Sequence, residues 1–296
     1  MNDRKQHVIT CAHKLFVEKG FQATSIQEIL DYSSISKGTF YNYFSSKNEL
    51  LIELFKTLYK KMEHERNELL IGQDSSDLDI FIRQVELQME TNRTNKLISL
   101  FEEVYFLKDE ELKAFIRQGQ IKLIHWIYHR FLDIFGKDKQ PYLLDCAIMF
   151  MGILNHNIKF YAMAYETKVD IHRVVRFSAK RLEKMVYEVS GTGDSLLQPE
   201  ILARWLPDHT DKDNSLKQQI LKKVILLKQT VPPIEEGQKY IELLDFIHDE
   251  ILHSKKPRYH LISSSCETLK KEPTPLSKQE LLALDKLISA FFQEKN

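Results

Sequence analysis

The chain has 296 residues, with Lys+Arg 42 against Asp+Glu 42, so its net charge is zero and charge alone announces no nucleic-acid partner. Hydrophobic residues make up 43%, charged residues 28%, and Gly (9) and Pro (8) are scarce, which excludes a collagen, a low-complexity chain and a loop-rich all-β protein. The length predicts two or three domains at about 100–200 residues each. Cys11, Cys146 and Cys266 are too scattered for a disulfide or metal framework and read as free thiols in a reducing cytosol. The N-terminus runs straight into an amphipathic segment, with none of the apolar core of a signal peptide, and no stretch of about 18 uncharged apolar residues occurs. The expectation is a cytoplasmic protein without a membrane span.

Helical periodicity dominates from the start. Ile9, Ala12, Leu15 and Phe16 fall on one face, predicting a helix over about 3–19 that Gly20 closes. Thr24 and Gln27 have capping-box spacing and predict a short second helix from about Ser25 to Tyr32. Ser33-Ser34-Ile35 reads as a tight turn, and Ser36 to Tyr43 as a third short helix. Ser46 and Glu49 predict the start of a long helix to about Leu70. Gly72 to Asp77 is a polar break, followed by helices at about 77–91, 95–107, 109–135, 140–165 and 170–189. Ser190 to Ser195, with Gly191 and Gly193, is the strongest linker signal.

Beyond it, three apolar stripes predict three more helices. They are Leu216, Ile220, Val224, Leu227 and Val231; then Tyr240, Leu244, Ile247 and Ile251; then Leu281, Leu284, Leu287 and Phe291, opened by Ser277 and Glu280. Pro232-Pro233 and the stretch from Lys255 to Pro275 read as connectors, with Tyr259-His260-Leu261-Ile262 as a weak strand signal. The fold class expected is all-α. Its expected domains are 1–50, with two short helices joined by a tight turn; 51–190, a helical middle domain; and 195–296, an additional helical module.

The third short helix is unusual in composition. Ser36-Lys37-Gly38-Thr39-Phe40-Tyr41-Asn42-Tyr43 combines small and polar residues with two tyrosines, while Phe40 and Phe44 sit four apart as inward anchors. A helix entering the major groove needs small or polar residues at its start, where Gly38 holds no side chain against the bases. Residues 1–62 also carry a local net charge of +3, and phosphate binding needs only a few well-placed cations.

Leu15-Phe16-Val17-Glu18-Lys19-Gly20-Phe21, Thr24-Ser25, Ile29 and the run from Ile35 to Leu50 closely resemble the DNA-binding domain of the TetR family of bacterial regulators. The resemblance implies a homodimer whose recognition helices enter successive major grooves of a palindromic operator in double-stranded DNA. By the same resemblance, Ser36, Lys37, Gly38, Tyr41 and Asn42 match positions against the groove. Thr24, Ser25, Thr39, Tyr43 and Lys47 match positions that grip phosphate. The chemistry agrees, because Thr24, Ser25 and Lys47 lie at predicted helix N-termini, which favour anions. The family usually has Ala-Gly where this chain has Ser33-Ser34, so a positive φ in that turn would be strained.

For the middle domain the resemblance implies an effector pocket, and the helices at 140–165 and 170–189 would pair with their twins in a four-helix interface. Phe101, Tyr105, Phe115, Trp126 and His156 are the candidate pocket residues. His125 and His129 have metal-chelating spacing, but no third ligand is evident nearby, so no metal and no cofactor is expected. No Gly-rich phosphate loop, GxSxG, HExxH or Cys/His nucleophile pattern occurs, so no enzyme is expected. The function expected is a repressor released by a small-molecule effector. The rival is a DNA-binding regulator controlled by a protein partner through residues 195–296, whose apolar stripes need a covering surface.

Overall fold

The computed structural model describes residues 3–107, 109–165, 169–206, 211–232, 237–254, 256–271 and 274–293. Pro233 and Lys255, read above as connector residues, lie outside that set. Every regular element among the described residues is helical. The chain divides into two compact units, residues 1–69 with 75–199, and residues 200–296 with the short loop 70–74.

The first unit begins with α1 (Asp3–Lys19), whose Val8, Ile9, Ala12, Leu15 and Phe16 are buried. Gly20 ends it at φ +90°, a conformation that costs glycine nothing. The next helix, α2 (Ile26–Ser33), is capped one residue later than Thr24 and Gln27 suggested. Ser25 is the N-cap, and its capping box closes with Glu28. Thr24 is drawn inward instead: it is fully buried and its hydroxyl donates to the Gly20 carbonyl at 2.8 Å.

The turn from α2 to α3 (Lys37–Tyr43) is closed by backbone bonds. The Ser34 N–H bonds to Asp31 O, and the Ile35 N–H to Leu30 O at 3.1 Å. This pairing places Ser34 in the left-handed region at φ +54° and ψ +42°. The strain anticipated for the serine turn is therefore present. Ser36 then caps α3 through a bond from the Thr39 N–H.

The helix α4 (Lys47–Glu68) leads into α5 (Leu78–Thr94), α6 (Leu97–Tyr105) and α7 (Glu110–Phe135). A single 3-10 turn at Lys137–Lys139 then leads into α8 (Gln140–Tyr165). One core runs from α1 to α7 around Phe16, Phe21, Phe40, Phe44, Leu50 and Phe55. A second aromatic group, Phe81, Phe131 and Phe150, joins α5, α7 and α8 at centroid separations of 5.4–6.0 Å.

The helix expected at 170–189 is two helices, α9 (Ile171–Ala179) and α10 (Leu182–Thr192). Buried Ser178 returns its hydroxyl to the Val174 carbonyl at 2.9 Å and accepts from Asn157 of α8. Back-bonding of this kind bends a helix. The expected linker at 190–195 is partly structured. Gly191 lies within α10, and Gly193 caps it at φ +71°. Beyond the cap, the N–H groups of Leu196 and Leu197 bond to buried Asp145.

The second unit contains α11 (Ile201–Trp205), α12 (Asp211–Thr230), α13 (Gln238–His253), α14 (Tyr259–Lys270) and α15 (Lys278–Gln293). The helix α12 packs on α13 and α15, and α14 packs on the same two, closing a four-helix arrangement. The stretch read as a connector with a strand signal is thus the helix α14. Ile262, Cys266 and Leu269 are buried on one face of it, a spacing of four and three that only a helix satisfies. All three apolar stripes end in one internal core. Arg258 grips the Glu250 carboxylate through Nε and Nη2, and Lys270 pairs with Asp285 at 2.7 Å.

All three cysteines are buried. Desolvation raises their thiol pKa values, to about 11 for Cys146 and about 12 for Cys266. No described helix is long and apolar enough to cross a membrane.

The left-handed Ser34 yields a direct test. Ser34→Gly is expected to stabilise the protein by about 1 kcal/mol, and Ser34→Val to destabilise it by at least that much. Chemical denaturation of the two variants beside the parent reads both changes.

Candidate nucleic-acid interface

The helix α3 is held from beneath and presents its other face outward. Phe40 and Phe44 are buried, with ring centroids 5.5 Å apart, and anchor it on the core. Ser36, Lys37, Gly38, Tyr41 and Asn42 are exposed, and Tyr41 packs edge-on against Phe40. The structure thus brings the five proposed groove residues onto one outward face. Thr39 and Tyr43 flank that face half-buried, and the Thr39 hydroxyl lies 2.9 Å from that of Ser36.

Gly38 separates local from external demands. A Cβ built there would meet only Ser36 Oγ, at 3.8 Å, an ordinary contact. Nothing within the described chain requires glycine at this position.

The proposed phosphate-gripping residues divide. Ser25 is exposed at the start of α2, where its backbone N–H donates to Glu28 Oε2 at 2.8 Å. Lys19 and the Ser25 bonds hold the Glu28 carboxyl down at about 2. Thr24, buried as described, offers no hydroxyl to solvent. Lys47 also turns away from the expected role. Its Nζ donates to the carbonyls of Phe21 at 2.8 Å and Thr24 at 2.7 Å, and lies 4.5 Å from the Phe21 ring centroid. Burial lowers its pKa. The α1–α2 turn leaves carbonyls without helical partners, and the lysine at the start of α4 satisfies them.

The helix α6 fastens to the same turn, which sequence spacing had not revealed. Glu103 Oε2 accepts from the Gln22 N–H at 2.9 Å, and Lys96 Nζ donates to the Val17 carbonyl at 2.9 Å. A Cβ on Gly20 would lie 3.0 Å from Glu103 Oε1, the end of a flexible side chain that can give way, so it is the positive φ that asks for glycine there. These partners are 79 and 81 residues apart, beyond the reach of any local sequence signal.

The five candidate pocket residues are not gathered around one site among the described residues. Phe101 and Phe115 pack on Phe55, beside Tyr59, in the core that the α1 to α7 helices share. Tyr105 is exposed near the end of α6. Trp126 stacks on Phe81 in the second aromatic group. His156 is exposed on α8, its ring bonded to the Gly152 carbonyl. Helical spacing places aromatics on a face but does not say which core that face enters.

A short capped helix pair with an inward aromatic anchor and an outward face of small and polar residues is a helix-turn-helix DNA-binding domain. Residues 8–54 match the family model described as bacterial regulatory proteins, tetR family. The HTH-type transcriptional regulator YerO of Bacillus subtilis is 27% identical over 276 residues, spanning 91% of this chain and 90% of that protein. That similarity therefore extends past residue 190 into the C-terminal unit. The regulator YuxN of the same organism is 29% identical over 155 residues, 52% of this chain and 53% of its own length. The HTH-type transcriptional repressor KstR2 of Mycobacterium tuberculosis is 34% identical over 56 residues, 19% of this chain and 28% of its own length. No solved structure matches the chain at a significant level. Residues 8–54 are thus a TetR-type DNA-binding domain, and the chain as a whole is similar to HTH-type transcriptional regulators.

The position of the Lys47 ammonium decides between two outcomes. Lys47→Met is expected to cost about 1–2 kcal/mol of stability, read by chemical denaturation. The salt slope of DNA binding should stay unchanged. A slope shallower by about one would instead assign the ammonium to a phosphate.

Proposed function

We propose that the chain is a cytoplasmic, non-enzymatic, homodimeric repressor. It holds a palindromic operator and releases it when a small-molecule effector binds among the middle helices. The observation that carries DNA recognition by α3 is Gly38. Among the described residues nothing calls for a glycine there, whereas a backbone approaching base edges does. Repression follows the printed name of KstR2.

The homodimer rests on α8. Met149, Ile153, Phe160 and Met163 are 37–63% exposed. With Gly152 and His156 they recur at steps of one, three and four along one helix. A Cβ on Gly152 would have nothing within 4 Å, so a second helix has room to approach closely. An apolar stripe of this length is a natural seat for its twin. Effector binding would then favour a dimer whose recognition helices no longer match successive major grooves.

The rival reading, control by a protein partner through residues 195–296, loses its main support. The apolar stripes that seemed to need a partner are covered by one another in the second unit.

Two variants test the proposal. Gly38→Ala is expected to raise stability by about 0.4–1 kcal/mol while weakening binding to an operator duplex selected from a random DNA pool. Unchanged affinity, read by fluorescence anisotropy, would remove Gly38 from the interface. Gly152→Glu is expected to yield a folded monomer in sedimentation equilibrium. A dimer as tight as the parent's would place the subunit interface elsewhere.

A further inference from the structure

The middle helices bury a positive charge that no described carboxylate pairs with directly. Arg66 of α4 is 9% exposed. Its guanidinium carbon sits 4.1 Å from the centroid of Trp126 on α7, and that ring stacks on Phe81 of α5. One guanidinium nitrogen donates to the neutral side-chain oxygen of Gln88 at 2.8 Å. The Nε–H is buried and has no hydrogen-bond partner. No described carboxylate forms an ion pair with Arg66, and Glu63, one turn earlier on the same helix, supports the charge only at longer range. Burial draws the Arg66 pKa down to about 10, which still leaves the group charged at neutral pH.

The contrast with Arg130 is informative. Arg130 is 3% exposed, and its guanidinium bonds to the Asp133 carboxylate at 2.9 Å and to the Ser75 carbonyl. Gln84 links the two arginines, accepting from Arg130 Nε and donating to the Arg66 backbone carbonyl. Among the described residues, one buried arginine therefore has a counter-ion and the other has none. A buried, unneutralised guanidinium is costly to the folded state, and such groups concentrate at binding sites. Trp126 is only half-buried, so its ring reaches solvent beside the covered Nε of Arg66.

We propose that Arg66 and Trp126 form the recognition point for an organic carboxylate. The acid group would take the unpaired Nε–H edge of Arg66, and the apolar body would lie along the half-buried ring of Trp126. A guanidinium binds a carboxylate by parallel, charge-assisted hydrogen bonds, and a neutral group of the same shape makes only weaker ones. This assignment rests on the reading of the middle helices as the effector-binding domain, and it names the chemical class of the effector.

The test uses the full chain carrying Trp205→Phe, so that Trp126 alone reports by fluorescence. Benzoate, phenylacetate and octanoate are titrated beside their neutral amides, and thermal midpoints are recorded in parallel. At least one carboxylate should change Trp126 emission saturably and raise the midpoint, with its amide at least tenfold weaker. Arg66→Lys, which keeps the charge but removes the Nε–H, should weaken the carboxylate at least tenfold. An amide that matches its acid, an unchanged response in Arg66→Lys, or no saturable response to any carboxylate overturns the proposal. The same carboxylates are then added to the protein bound to its selected operator duplex. A carboxylate that binds through Arg66 without loosening DNA upholds the anion site and overturns the effector-release reading instead.

Discussion

Three carbonyl groups sit between the first two helices, and one lysine reaches all of them. Lys47 reaches back from the start of α4 to Phe21 and Thr24, with Gln22 at the edge of reach. The Thr24 hydroxyl closes the same turn from within. Glu103 and Lys96 of α6 hold it and the end of α1 from a second side. The orientation of α2, and through the Ser34 turn that of α3, depends on how this short segment is held. A cation meeting several backbone carbonyls in a partly buried place is stronger than a surface pair. It also fastens the DNA-reading helices to the helices behind them.

This arrangement joins the interface to the rest of the first unit without a long chain of side chains. The same segment touches α1, α2, α4 and α6 within a few residues. The helix α3 is meanwhile free of such demands. Its buried residues are aromatic anchors, and its outward residues make few bonds to the protein, which leaves them available to another molecule.

Legibility from sequence followed the range of the interactions. The first four helices could be read because their ends are written locally, in Gly20, Ser36 and Ser46 and in the steps of three and four between buried residues. The Thr24 cap was misplaced by one residue because Thr24 and Ser25 both suit a cap, and only the burial of Thr24 separates them. The break between α9 and α10 was hidden because the apolar stripe runs on from Ser178 to Leu182 with no glycine or proline between. The helix α14 was obscured by a β-prone start at Tyr259 and by prolines on either side. The resemblance assigns Lys47 to phosphate, and neither its inward bonds nor the burial of Arg66 could be read from sequence. Each looks like a surface cation on a charged helix, and what distinguishes it is a partner, or the lack of one, supplied by distant segments.

The three cysteines have a practical consequence of a different kind. Cys11 lies in α1, Cys146 in α8 and Cys266 in α14, and each is buried with its thiol held protonated. Only the thiolate reacts readily with alkylating or disulfide reagents. Each sulfur is therefore silent while its own helix stays packed and becomes reactive when that helix opens. The chain carries an endogenous clock in the DNA-binding helices, one in the middle helices and one in the C-terminal unit. Their separate labelling rates would rank the local opening free energies of the three regions without any engineered probe.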